Sequence, residues 1–292
     1  MTIIHGPTSH SYFSQRLRLH YVDWGNEDAP PLLMVHGGQD HCRNWDWLAQ
    51  EMREDYHIIA PDLRGHGDSQ WMVGGAYSKF DYIYDIHQLL HQTKMTPVKI
   101  IAHSMGGEVC LRFAGTYPEL VEKMVIIEGL WEHPDEAAKR EEKPLAERVR
   151  EWEVNLRKTA GRTARRYATL DDAYQRMHEA NPHLRPDQAR HLTIHGANQN
   201  EDGTYSWKFD NYVRTGNPLR TNMEQDQALW SNITCPVLNV RGNESWASAP
   251  EKDGQLEYFQ QGSYVNIEDA GHWVHHDQLD EFLGHAVPFL NG

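Results

Sequence analysis

The stretch "IIAHSMGGE" (100–108) sets a serine two residues behind an apolar run and directly ahead of a helical pattern. A strand that turns this sharply into a helix pushes its middle residue out above the sheet. It also aims the first N–H groups of the helix at whatever binds there. A hydroxyl beside such donors suits nucleophilic acyl transfer, in which Ser104 attacks a carbonyl and the amides hold the resulting oxyanion. Ala102-x-Ser104-x-Gly106 is a near form of the G-x-S-x-G nucleophile elbow, with one added methyl at its first position. A plain helix cap would leave the same local sequence, so Ser104 needs partners to be read as a nucleophile.

Three segments offer them. "HGGQD" (36–40) follows an apolar run, and its glycines let backbone approach a ligand closely; the N–H of Gly38, with that of Met105, forms a candidate oxyanion hole. In "EDAGHWVHHDQLDEF" (268–282), His272 is the candidate general base, while His275 and His276 read as surface or packing residues. The chain holds 19 histidines, so what singles out His272 is its order, after the serine and near the end. A catalytic imidazole needs an ionised partner to fix its tautomer and stabilise its charge. Glu128 closes the apolar run "MVII" (124–127), where an ionisable group is costly unless paired. Glu244 lies in the turn after "PVLNVRG" and is the alternative acid; Glu128 is favoured.

The elements that must carry these residues alternate in type. "RLRLHYVDWG" (16–25) reads as a half-buried strand with Leu17, Leu19 and Tyr21 on one face. Leu32–Val35, "HIIA" (57–60), "VKIIA" (98–102), "KMVII" (123–127), "PVLNV" (236–240) and, more weakly, "SYVNI" (263–267) read as strands buried on both faces. Helical spacing separates them, in "KFDYIYDIHQLLHQT" (79–93) and "GGEVCLRFAGTYP" (106–118). Alternation of this kind argues for an α/β fold with a mostly parallel, doubly covered sheet. The rhythm breaks between Trp131 and Trp230, where no buried strand is evident. There "KPLAERVREWEVNLRK" (143–158) and "TLDDAYQRMHEANP" (169–182) are amphipathic helices. Residues 1–130 and 231–292 are therefore read as the core, and 131–230 as a helical insertion. Trp131, Trp152, Tyr205 and Trp207 are candidates to line an apolar substrate pocket.

"HGGQDHCRNWD", "IIAPDLRGHGDS", "AHSMGGEV", "MVIIEGL" and "AGHWVHHDQLDEF" fall in an order and spacing that resembles the α/β-hydrolase superfamily, in its serine esterase and lipase-like branch. The resemblance implies a mostly parallel eight-stranded sheet with a helical cap over the site, Ser104 as nucleophile and His272 as base. It also implies a triad acid in the turn after "PVLNVRG", where this chain has Ser245 instead. Serine at 104 argues against the related dehalogenase and epoxide hydrolase branches, which use aspartate.

Net charge excludes other functions. Forty-two acidic against 28 basic residues leave −14, which disfavours nucleic acid and anionic membrane partners. No apolar run reaches a membrane span. The N-terminus lacks a signal-peptide pattern, and three cysteines fit a reducing, cytoplasmic setting. The expected activity is hydrolysis of a small-molecule carboxylic ester, with no metal or organic cofactor. A lactonase or C–C bond hydrolase would use the same residues. A cofactor-free oxygenase, or a ligand-binding protein without turnover, would share the fold.

Overall fold

The computed structural model describes residues 6–75, 77–130 and 132–292. Its first strands are β1 (Thr8–Ser14), β2 (Leu17–Asp23) and β3 (Pro31–Val35), followed by α1 (Asp46–Met52), β4 (His57–Pro61) and α2 (Lys79–Thr93). The chain continues through β5 (Val98–His103), α3 (Met105–Thr116) and β6 (Val121–Ile127). Helices α4 (Pro134–Glu141), α5 (Leu145–Ala160), α6 (Leu170–Ala180) and α7 (Pro186–Gly196) come next, then a short hairpin of β7 (Ala197–Gln199) and β8 (Tyr205–Trp207). The last elements are α8 (Met223–Ser231), β9 (Val237–Gly242), β10 (Gly262–Ile267), α9 (Val274–Asp277) and α10 (Leu279–Asn291).

Eight strands form one sheet in the order β1-β2-β4-β3-β5-β6-β9-β10. β1 and β2 are antiparallel to their neighbours, and every pairing from β4 to β10 is parallel. The C-terminal ends of β3, β5, β6 and β9 therefore open on one edge, where α/β sheets bind ligands. Alternate side chains feed two cores: Leu33, Val35, Ile100 and Ala102 pack under α2, α3 and α8, while Leu32, Met34, Ile101 and Val125 pack under α1 and α10.

Three strands differ from the sequence reading. β1 was not evident there, because only Tyr12 and Ser14 of its residues are buried and an edge strand needs no apolar alternation. In β2 the buried residues are Leu19, His20 and Val22, not one alternating face. His20 is covered because Asp62 accepts from its Nδ1 at 2.7 Å and Ser69 Oγ accepts from its backbone N–H at 2.8 Å. The third is β10, where only Ile267 is buried because the strand lies at the edge of the sheet.

The segment between β6 and β9 is mainly helical, with the three-residue pairing of β7 and β8 in its midst. α7 ties it to the core: Gln188 Nε2 donates to the His276 carbonyl at 3.0 Å, and His191 Nε2 lies 3.0 Å from Asp46. α8 lies against α3 on the sheet's flank, through a two-pronged Arg112–Asp226 pair at 2.9 and 2.6 Å. Trp230, read from sequence as the end of the insertion, is buried there and stacks on Phe259.

Candidate active site

Ser104 sits between β5 and α3 with φ 51° and ψ −120°, a conformation L-residues avoid. Such a residue costs about 1–3 kcal/mol and persists only where its surroundings over-determine it. Here its N–H donates to the Ile127 carbonyl at 2.8 Å, tying the turn to the neighbouring strand. The turn is also squeezed from both sides. A Cβ on Gly106 would lie 2.4 Å from the His36 carbonyl oxygen and 2.6 Å from that of Val35, and one on Gly107 would lie 2.8 Å from Gly129 Cα. Only glycine fits at 106, because the opposing atoms are backbone. Ala102, in contrast, puts its methyl into the core and takes no part in the tight turn.

His272 enters from the loop after β10. Its Nε2 is 2.9 Å from Ser104 Oγ, and its Nδ1 is 3.4 Å from Glu128 Oε2. Glu128 follows β6 with φ 56°, its N–H donating to the Val240 carbonyl at 2.9 Å and its side chain fully buried. The carboxylate is held by two further donors: Gly242 N–H reaches Oε1 and Ser245 Oγ reaches Oε2, both at 2.8 Å. A proton on Nδ1, facing the carboxylate, leaves the Nε2 lone pair to accept from the Ser104 hydroxyl.

The structure thus brings Ser104, His272 and Glu128 together and leaves Glu244 out. Glu244 is half-exposed, and its carboxylate lies 3.4 Å from His183 Nε2. Ser245, at the position where the resemblance implied an acid, supplies a hydroxyl to the carboxylate arriving from β6. Sequence reasoning passed over that role because it sought a charge at 245, not a donor.

Two more residues border His272 and were not anticipated. His103 Nε2 donates to the His272 carbonyl at 2.9 Å, and the two rings lie 4.8 Å apart. Burial, then the neighbouring His272, hold His103 well below the usual histidine range, so it stays neutral. Trp246 covers the other side, its ring 4.6 Å from that of His272 although the residue is 68% exposed. The signal for His103 was present, a histidine closing the apolar run Ile100–Ala102 just before the serine. His275 and His276 prove to be packing residues, buried, with both Nε2 atoms against Asn44 Oδ1.

Gly38 and Met105 are neighbours: a Cβ on Gly38 would meet Met105 Sδ at 3.8 Å, and one on Gly37 would meet Ser104 Cβ at 3.1 Å. The glycine loop therefore lies against the serine turn, as an oxyanion site requires. Met105 also borders a cavity of about 420 Å³ between the start of α3, the start of α2, α5 and residues 213–221. Trp152 lines that cavity, but Tyr205 and Trp207 do not. Their place is the hairpin, where Trp207 Nε1 donates to Tyr167 Oη at 3.0 Å and Tyr205 pairs with the backbone of Tyr167, so the pocket expected of them is not theirs. Trp131 lies outside the described residues.

Two groups among the described residues have metal-ligand atoms close together: His20, Cys42 and Asp62, and Asp46, His191 and His195. The first is a closed polar knot. Asp62 accepts from His20 Nδ1 and from the N–H groups of Cys42 and Asp68, and His20 Nε2 meets Ser9 Oγ at 2.6 Å. In the second, Arg43 donates to both oxygens of Asp46, at 2.9 and 2.8 Å. All three cysteines are free and buried. No described helix is long and apolar enough to cross a membrane.

A family model described as "alpha/beta hydrolase fold" matches residues 12–279. Among curated proteins, the chain is 26% identical over 285 residues to a "Serine hydrolase-like protein" of Danio rerio, covering 91% of this chain and 83% of that one. It is 25% identical over 293 residues to "Epoxide hydrolase 1" of Caenorhabditis elegans, covering 95% and 69%. Among solved structures, E-2-(acetamidomethylene)succinate hydrolase superposes with a TM-score of 0.81 at 22% identity, over 98% of this chain and all of that one. The thioesterase domain from a curacin biosynthetic pathway gives 0.84 at 21%, over 99% and 100%.

Proposed function

This chain belongs to the α/β-hydrolase fold family, and on that premise we propose that it is a serine hydrolase of carboxylic esters. The observation that carries the reading is the hydrogen-bonded line Glu128–His272–Ser104, ending on a serine held in a strained turn at a helix N-terminus. Ser104 attacks the ester carbonyl while His272 Nε2 takes its proton. The Gly38 and Met105 amides hold the oxyanion. The protonated imidazole, its charge facing Glu128, then gives the proton to the departing alcohol. Water enters, loses a proton to His272 and releases the acid from the acyl-enzyme. The 3.4 Å contact to Glu128 is long for a charge-assisted bond, as catalytic contacts often are before substrate binds.

Serine at 104 favours this reading over the epoxide hydrolase chemistry that one relative's name carries. The test is hydrolysis of p-nitrophenyl esters of graded chain length, together with labelling by a fluorophosphonate probe. Wild type is expected to label at Ser104 and turn over. Ser104→Ala is expected to lose label and at least about 10³-fold in kcat. A Ser104→Ala protein that keeps most of its turnover would overturn the mechanism.

A further inference from the structure

The cavity beside Met105 is unusual in charge for a chain of net −14. Five cationic side chains border it, Lys79, Arg140, Arg148, Arg214 and Arg220, against two carboxylates, Glu108 and Glu151. The carboxylates are already engaged. Glu108 holds Lys79 at 2.5 Å and lies 3.8 Å from Arg112, and Glu151 holds Lys143 at 2.7 Å. Glu132, just outside, is shared between Arg140 and Arg220. Among the described residues, Arg214 donates only to the neutral amide oxygen of Gln39, in the loop after Gly38. Burial, then the Arg140 guanidinium, hold Arg220 below the usual arginine range.

Two N–H donors there have no acceptor. Arg148 Nε and Trp152 Nε1 are closed off from solvent and make no hydrogen bond among the described residues. They stand four residues apart on α5, hence on one face, and both line the cavity. Buried donors are nearly always satisfied, so a pair left open in one cavity indicates an acceptor that the protein itself does not supply. An arginine fork matches a carboxylate in two-pronged fashion. The cavity wall at Met105 adjoins the nucleophile, and Glu108, three residues or about 4.5 Å further along α3, lines the same cavity.

We propose that this cavity takes the anionic end of the substrate: an ester bearing a second, ionised carboxyl group on one arm, received by Arg148 and Trp152 with Arg214 at the mouth. The inference rests on the ester-hydrolase reading and narrows its substrate class.

The experiment compares acidic esters with neutral counterparts in which a methyl replaces the carboxylate: mono-p-nitrophenyl glutarate against p-nitrophenyl valerate, and 4-acetoxybutyrate against butyl acetate. These place the acid on the acyl and the alcohol arm in turn. In wild type at least one acidic ester should exceed its neutral partner by tenfold or more in kcat/KM. Arg148→Gln should reduce that ratio at least tenfold, and Arg148→Lys should restore part of it. Ratios near one for both pairs, or a ratio unmoved by Arg148→Gln, overturn the proposal. Glutarate binding by calorimetry gives a reading independent of turnover. It should be present in wild type and in Ser104→Ala and lost in Arg148→Gln. Glutarate bound through Arg148 in a protein that hydrolyses no ester would sink the esterase reading and sustain the anion site. Ester turnover with no glutarate binding and no acid preference would do the reverse.

Discussion

Glu128→Gln separates a catalytic carboxylate from a merely buried one. The substitution is close to isosteric, and the glutamine oxygen can still accept from Gly242 N–H, which now contacts Oε1 at 2.8 Å. The other terminus becomes an NH2 facing Ser245 Oγ and His272 Nδ1, where the carboxylate oxygen accepted from both. A donor at that position favours the imidazole tautomer with its proton on Nε2. That proton points at Ser104 Oγ, 2.9 Å away, and leaves no lone pair to take the serine proton. The negative charge that balances the imidazolium is lost as well. Wrong tautomer and lost charge together cost triads of this type about 10⁴ in kcat, or about 5.5 kcal/mol. Ester turnover should therefore fall by about three to four orders of magnitude with KM little changed. The fold should survive, because an ionised group with a 0% exposed side chain is being replaced by a neutral one of the same shape. The assay is kcat for a p-nitrophenyl ester, with thermal unfolding recorded on the same protein. The control is Glu244→Gln, whose carboxylate is half-exposed and faces His183; it should stay within about threefold of wild type. If Glu128→Gln keeps kcat within tenfold while Glu244→Gln loses it, the assignment of the acid fails.

Gly106→Ala drives a methyl against two backbone carbonyls at 2.4 and 2.6 Å that cannot move aside. It should cost about 1–3 kcal/mol or more, lower Tm by about 5 °C and weaken fluorophosphonate labelling; an unchanged Tm with full labelling would show that the turn is not tight. Acid should unfold the protein early. Burial and the charge of His66 hold His36 at about 3, burial and the charge of His191 hold His276 at about 3, and burial holds His66 at about 4. An unfolded histidine titrates near 6.5, so below that pH the unfolded chain binds more protons; the stability is whole above about 6.5 and is lost as pH falls toward 3–4. Asp40, raised by burial to about 8, binds its proton first in the folded state and offsets one of the three. A net uptake of about two protons lowers stability by about 3 kcal/mol per pH unit; the depressed His41, His103 and His275 add to it, and Asp85 and Asp277, raised by burial, oppose it. Denaturant titrations at pH 7, 5.5 and 4.5 check this, and a flat unfolding free energy would contradict it.

Some of this was written locally. The strand–turn–helix around Ser104 is encoded within nine residues, by an apolar run, a polar break and two glycines, and its geometry follows from short-range sterics. His272 stood out through chain order, although 18 other histidines compete with it. The inner strands β3, β4, β5, β6 and β9 were legible because both faces demand apolar residues, whereas β10 proved to be an edge strand with only Ile267 buried. β1 was not legible, since an edge strand imposes little on its composition. Tyr205 and Trp207 were misplaced because an aromatic side chain fits a hairpin as well as a pocket, and spacing does not distinguish them.

The identity of the acid shows where local information stops. Sequence put a costly carboxylate at the end of an apolar run and left Glu244 as its rival. Only strand order separated them: β6 lies between β5 and β9, so Glu128 emerges between the serine turn and the end of β9, where Gly242 and then Ser245 stand. The same long-range packing gathered five cations from α2, α4, α5 and the 213–221 segment into one cavity. Neither could be read residue by residue, because which elements become neighbours is decided by burying two faces of one sheet, a property of the whole chain.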